Sequence, residues 1–320
     1  MKILVVKPTA LGDVAQALGV APVLRRGAGR LAWLVDEDYA PLVKACPAVD
    51  EIITFPRRRL GKSPSAWWRW LRSLRRHGFD VALDLQGLAR SALMMRAVRA
   101  DWRVGLRSAR EGARLAYNVA VDDCQRRAAD RYLAAALLVA GDADGELPDA
   151  PPLAVPSGDL PGSLSAGRYT VLHPYSKWNT KLWPWRHYAE LARCLPGEQF
   201  VLIGSGAFFP MDEPNVLDLR NRTGLAELLV LLGNARAVIS TDSGPLHVAA
   251  AFDRPLVALF GATDPSKTAP RATRVRTLTV NLPCRPCGRR VCEQPLTMEC
   301  LRLITPQAVA TAWKEIITEM

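Results

Sequence analysis

An α/β protein made of two doubly wound halves is the fold class this sequence predicts. Short apolar runs alternate with amphipathic stretches, the signature of parallel strands covered by helices. The alternation stops at a segment rich in Pro, Gly, Asp and Ser and then starts again. At 320 residues the chain is also longer than one hydrophobic core usually organises.

In the first half, residues 3–6 are an apolar run. Thr9-Ala10-Leu11-Gly12-Asp13 follows, then an amphipathic stretch to about residue 26. This reads as strand, turn and helix. Further strands are predicted at 32–35, 51–55 and 81–85, with a helix over 91–98 after Gln86-Gly87. Residues 141–167 form the linker. Beyond it strands are predicted at 169–173, 199–203, 237–240 and 256–260, with helices at 185–195, 225–232 and 245–251. The expected domains are 1–155 and 168–305, followed by a helix over 306–320 that packs back towards the N-terminal half. Two such halves place a ligand cleft between them, at the carboxyl ends of the strands.

No apolar run reaches the roughly 18 residues that span a bilayer, and four apolar residues before Lys7 make no export signal. A cytoplasmic protein is expected. Residues 57–114 hold 15 Lys and Arg against 4 Asp and Glu, an excess of 11, which is the whole net charge of +11. Such concentration implies an anionic partner, unless the segment is an ordinary solvated basic face.

The stretch Ile239-Ser240-Thr241-Asp242-Ser243-Gly244-Pro245-Leu246-His247 is a strand end, a small polar loop and a helix start. Backbone N–H groups at such a start, with the helix dipole, suit phosphate. Asp242 would then accept sugar hydroxyls; alternatively Asp242 or Ser243 merely caps the helix. Lys181, in Lys181-Leu182-Trp183-Pro184, is a suitable point charge for a diphosphate. There is no Walker A sequence and no dinucleotide fingerprint.

In order along the chain, Lys7 to Asp13, Asp84-Leu85-Gln86-Gly87-Leu88 with Ser91, Lys181 to Pro184, Asp242-Ser243-Gly244 with His247, and Gly261 to Pro265 resemble glycosyltransferase family 9, the bacterial lipopolysaccharide heptosyltransferases. Residues 107–118, with Arg110-Glu111 and Tyr117-Asn118, are most similar to the heptosyltransferase I branch. The resemblance implies a GT-B fold of two Rossmann-like domains and an inverting transfer of heptose from ADP-heptose to the Kdo region of lipid A, with no required cofactor. Asp13 would be the general base, although it could also be a helix N-cap. Ser176, Lys181, Thr223, Asp242, Ser243, Gly244 and His247 would bind the donor. Thr9, Gly12, Arg57, Arg58, Arg59, Lys62, Gln86, Arg107 and Arg110 would bind the acceptor. The family often has His three residues after the aspartate; here that position is Gln16.

The basic segment suits an anionic lipid at the inner face of the cytoplasmic membrane. Residues 64–77 read as a helix with Trp67, Leu71 and Leu74 on one face and Arg69, Arg72 and Arg76 on another, as in interfacial helices or in a core-facing helix with solvated arginines. Arg and Trp also suit single-stranded nucleic acid, but the other motifs build a sugar-nucleotide site, so none is expected. Cys284, Cys287, Cys292 and Cys300 could hold a metal, form disulfides or remain free thiols. A nucleotide-sugar-binding protein without turnover and a relative with another acceptor, such as heptosyltransferase II, are the competing functions.

Overall fold

The structure is a computed structural model that describes residues 1–61, 63–124, 127–142, 145–147, 151–162, 164–295 and 297–319. The chain divides into two compact units, Met1–Ala154 and Val155–Met320.

In the first unit the strands are β1 (Lys2–Val6), β2 (Arg30–Asp36), β3 (Glu51–Phe55), β4 (Gly78–Asp84), β5 (Arg99–Leu106) and β6 (Val119–Val121). They form one parallel sheet in the order β3-β2-β1-β4-β5-β6. The second unit repeats the plan with β7 (Thr170–His173), β8 (Phe200–Leu202), β9 (Val216–Asp218), β10 (Ala237–Thr241), β11 (Leu256–Leu259) and β12 (Val275–Leu278), in the order β12-β11-β10-β7-β8-β9. Both orders reverse direction at a central pair, β1 beside β4 and β7 beside β10. In doubly wound sheets ligands bind outside the carboxyl ends of the strands at such a switch point. The central strands are buried on both faces, so Ile3, Leu4, Val5 and Val6 are wholly inaccessible, and their sequence is a continuous apolar run rather than an alternation.

Several elements differ from the sequence reading. The reading did not assign β5, which is rich in polar residues, β6, β9 and β12, which are only three or four residues long, or the helix Ala128–Ala140, which is largely Ala and Leu. The first amphipathic stretch breaks at Gly19 into the helices Leu11–Leu18 and Ala21–Gly27. The basic helix runs over Pro64–Leu74, three residues short of the expectation, and opens with Ser63 Oγ accepting from Ala66 N–H at 3.3 Å.

The last helix, Pro306–Thr318, corrects the expectation that it packs towards the N-terminal half. Val309, Ala310, Ala312, Trp313, Ile316 and Ile317 are buried in the C-terminal unit's own core, alongside Tyr188 and Leu191 of the helix Trp185–Cys194. Two indole N–H groups fasten this corner. Trp313 donates to Thr170 Oγ1 at 2.9 Å, and Trp183 donates to the Ile304 carbonyl at 2.8 Å. The apolar positions at spacings of three and four need a partner face, and that unit supplies it.

Candidate active site

At the second unit's switch point, His173 ends β7 opposite Ser240 on β10. His173 is buried, and desolvation pushes its pKa down to about 4. It is therefore a neutral imidazole at pH 7. Its Nδ1 lies 3.0 Å from Ser243 Oγ and 3.4 Å from Ser240 Oγ. Ser243 precedes the helix Gly244–Ala251 with extended backbone but does not cap it, because its hydroxyl is turned to His173. Nor does the Asp242 carboxylate cap it. That carboxylate, 5% exposed, accepts from Lys181 Nζ at 2.7 Å, Thr263 Oγ1 at 2.7 Å and Thr268 Oγ1 at 3.5 Å. The capping alternative thus fails for both residues, since neither side chain caps the start of the helix.

Lys181 reaches Asp242 from the loop after β7, with its ammonium 4.6 Å from the centre of the Trp178 ring. Ser176, in the same loop, donates to the Asp242 carbonyl at 3.4 Å. The backbone positions that allow this are specific. A Cβ on Gly261 would meet the Thr180 carbonyl oxygen at 2.9 Å and Leu301 at 2.7 Å, and a Cβ on Gly204 or Gly206 would strike the Tyr175 ring. His247 is buried in the first turn of the helix. Thr223 lies in the loop before the helix Leu225–Gly233. The fold therefore gathers Ser176, Lys181, Asp242, Ser243 and Gly244, and adds Thr263 and Thr268.

The first unit builds a polar cavity of about 500 Å³ at its own switch point, lined by Lys7, Asp13, Gln86, Ser108, Arg110 and Arg131 among others. Asp13 lies in the first turn of Leu11–Leu18, and its Oδ2 accepts from the Ala10 N–H at 3.3 Å. Ala10, not Asp13, is the N-cap residue. The carboxylate sits at the third position of the helix and lines the cavity, so the N-cap reading of Asp13 fails. Gln86 Oε1 accepts from Thr9 N–H at 3.1 Å and ties the β1 loop to the β4 loop. Under that loop, Asp84 is completely buried and accepts from Gln86 N–H, Gly87 N–H, Ser91 Oγ and Tyr117 Oη at 2.8–3.0 Å. Burial pushes its pKa up, and these hydrogen bonds pull against the rise.

The model of glycosyltransferase family 9 (heptosyltransferase) matches residues 67–297. Lipopolysaccharide heptosyltransferase 1 of Pseudomonas aeruginosa is 30% identical, with 97% of this chain and 96% of that protein covered. The chain belongs to glycosyltransferase family 9. Lipopolysaccharide heptosyltransferase 2 of Salmonella typhimurium is also 30% identical, over 87% and 88% of the two chains. The solved structure of E. coli ADP-heptose lipopolysaccharide heptosyltransferase II superposes with a TM-score of 0.74 at 27% identity, covering 100% and 99%. This family 9 chain is a glycosyltransferase, a heptosyltransferase of the lipopolysaccharide core, with the GT-B fold.

The remaining expected residues of the family 9 chain fall into separate places. Arg57 and Arg58 line a second cavity of about 410 Å³ with Asp38, Phe55, Gly61, Trp67 and Arg90. The arginine run is partly neutralised. Arg58 meets Asp38 and Arg59 meets Glu37, each at 3.0 Å, and Arg57 stands 3.9 Å from the buried Asp36. Lys62 lies outside the described residues. Arg107 is exposed, and its backbone N–H bonds the Val121 carbonyl. In the helix Pro64–Leu74, Trp67 and Trp70 pack on Phe55 with ring centres 5.1 and 5.0 Å away. Trp70 is therefore partly buried against the core. Trp68, 70% exposed, stays outside. No helix among the described residues is long and apolar enough to cross a membrane.

All four late cysteines line one cavity of about 490 Å³. None is in a disulfide, and among the described residues no three His, Cys, Asp or Glu side chains are grouped to hold an ion. The sequence reading missed Lys7, Arg131, Tyr132, Thr263, Thr268 and the His173–Ser243 pair as site residues. Lys7 and Thr263 lie inside the quoted motifs, so a signal for them was present. Arg131 and Tyr132 sit on a helix that the reading did not assign.

Proposed function

We propose that the chain transfers heptose from ADP-heptose to the Kdo region of lipid A, with inversion at the anomeric carbon. The observation that carries this reading is the Asp242 carboxylate, held by Lys181, Thr263 and Thr268 beside an uncapped helix start. Such a site offers acceptors for sugar hydroxyls, and an ammonium with N–H groups for a diphosphate. Asp13 takes the proton of the acceptor hydroxyl. The hydroxyl oxygen forms the new bond to the anomeric carbon as the bond to the diphosphate oxygen breaks. ADP leaves with the electron pair, stabilised by Lys181 and the N–H groups of Ser243 and Gly244. Arg57, Arg58, Arg59, Arg107 and Arg110 attract the anionic acceptor, and with Trp68 they favour work at the inner face of the cytoplasmic membrane.

A second reading, with an already heptosylated acceptor as in heptosyltransferase II, is supported by equal identity to relatives of both kinds. Release of ADP from ADP-heptose, measured with Kdo-lipid A and with its heptosylated form, separates the two. Kdo-lipid A is expected to be the better acceptor. In the same assay Asp13→Asn is expected to cut turnover about 100-fold or more, the usual cost of losing a general base, with ADP affinity unchanged. Near-normal turnover by the folded variant would remove Asp13 from the mechanism.

A further inference from the structure

We propose that Arg285 is a positioning residue of the donor site, holding the loop that carries Thr263 so that the Asp242 carboxylate keeps its orientation. The inference rests on the donor reading of Asp242 above and adds what fixes that carboxylate from outside. Lys181, Thr263 and Thr268 all donate to one oxygen, Asp242 Oδ2. Lys181 comes from the loop after β7 and Thr263 from the loop after β11. The orientation of the carboxylate therefore depends on the spacing of two loops far apart in sequence.

A third segment grips both loops. Residues 279–295, after β12, contain no helix or strand, and residues 286–291 are exposed. With little apolar surface buried, polar contacts must offset the entropy of ordering this segment. The Gly288 N–H donates to the Ala262 carbonyl at 2.9 Å, and the Arg289 carbonyl accepts from Thr180 Oγ1 at 2.6 Å. Thr180 is the neighbour of Lys181, and Ala262 is the neighbour of Thr263. Arg285 adds a charge-assisted tie. Its Nε donates to the Gly261 carbonyl at 2.6 Å and its Nη1 to the Val280 carbonyl at 2.7 Å. The planar fork thereby joins the chain after β12 to the loop after β11, a two-pronged geometry that a lysine ammonium does not reproduce. Gly261 is two residues from Thr263, so slack at its carbonyl passes to the Thr263 hydroxyl and on to Asp242.

Calorimetry on the full chain with ADP-heptose and with ADP tests this. Arg285→Ala is expected to bind ADP-heptose about 10- to 100-fold more weakly, the range for losing a charge-assisted hydrogen bond. It is expected to bind ADP almost as well as the wild type, because Lys181 keeps its own tie through Thr180. Arg285→Lys is expected to share the loss, and it serves as the test should the alanine variant not fold. Added ethylguanidinium is expected to restore the alanine variant. A double-mutant cycle with Thr263→Val decides the route, since in that background Arg285→Ala is expected to cost nothing further. Additive losses overturn the proposal, as does an Arg285 variant that loses ADP and ADP-heptose equally. If Asp242→Asn weakens ADP-heptose binding and the Arg285 variants do not, the donor reading stands and the proposal falls. If the Arg285 variants weaken it while Asp242→Asn and Thr263→Val do not, the donor reading falls and takes the proposal with it.

Discussion

The imidazole of His173 shows how much a single buried group can impose. Packed at the end of β7 against Ser240 and Ser243, it is held neutral by desolvation, with its pKa near 4. In the unfolded chain the ring titrates near pH 6.5. As pH falls below that value the unfolded state takes up a proton that the folded state refuses, so stability declines until the folded pKa is reached. Of the order of 3 kcal/mol is at stake across the window from about 6.5 to 4. His173→Gln keeps a polar group facing Ser243 and removes the titration. Urea unfolding at pH 7 and pH 4.5 is expected to show a smaller acid loss for the variant than for the wild type. Equal losses would show that His173 does not govern this window. Asp242 illustrates a different limit of sequence reading at this scale. Its position after a strand suggested either cap or ligand, and only the positions of Lys181 and Thr263 show that its carboxylate does not cap.

Among the elements, β5 is the instructive case. Its sequence, Arg-Ala-Asp-Trp-Arg-Val-Gly-Leu, alternates polar and apolar residues, yet it lies inside the basic segment and its charge draws attention away from the period of two. The strand matters because Gly105 leaves room for the Tyr117 ring. A Cβ at Gly105 would fall inside that ring. Tyr117 in turn donates to the buried Asp84, which holds the Gln86-Gly87 loop at the cavity wall. Gly105→Ala is therefore expected to displace Tyr117, costing about 1–3 kcal/mol from overpacking and about as much again if Asp84 loses its donor. A drop of several degrees in Tm together with a raised acceptor KM is the expected result. An unchanged Tm would mean that the Tyr117 ring moves aside without loss. The helix Pro64–Leu74 was legible as a basic amphipathic element. The face with Trp67, Leu71 and Leu74 was legible too, but packing against Phe55 also brings in Trp70 and leaves Trp68 outside, which the spacing did not show.

At the scale of the molecule, charge and chemistry divide along the chain. The net charge lies in residues 57–114 and the Lys181–Asp242 site lies in the second unit. Replacing Arg57, Arg58 and Arg59 with Gln is expected to leave ADP affinity intact while raising the KM for a lipid acceptor and weakening binding to anionic vesicles. Because these arginines face Asp36, Glu37 and Asp38, the effect should be smaller than the roughly 1 kcal/mol per basic group of an unpaired cluster. It should also shrink as salt is added. A fall in ADP affinity instead would show that the two units do not divide the labour. The sequence by itself determined the fold class, the repeated α/β plan, the break near residue 155 and the motif residues at the switch points. Those features are local: apolar period, turn residues and short spacings follow directly from strand and helix geometry. Tertiary structure alone decided which carboxylate meets which cation, which tryptophan faces solvent, and where the last helix docks. It alone left Lys7 buried with no counter-charge in reach among the described residues. These outcomes depend on residues brought together from distant parts of the chain, such as Lys181 with Asp242 or Lys7 with Leu85, and spacing along a sequence carries no measure of that distance.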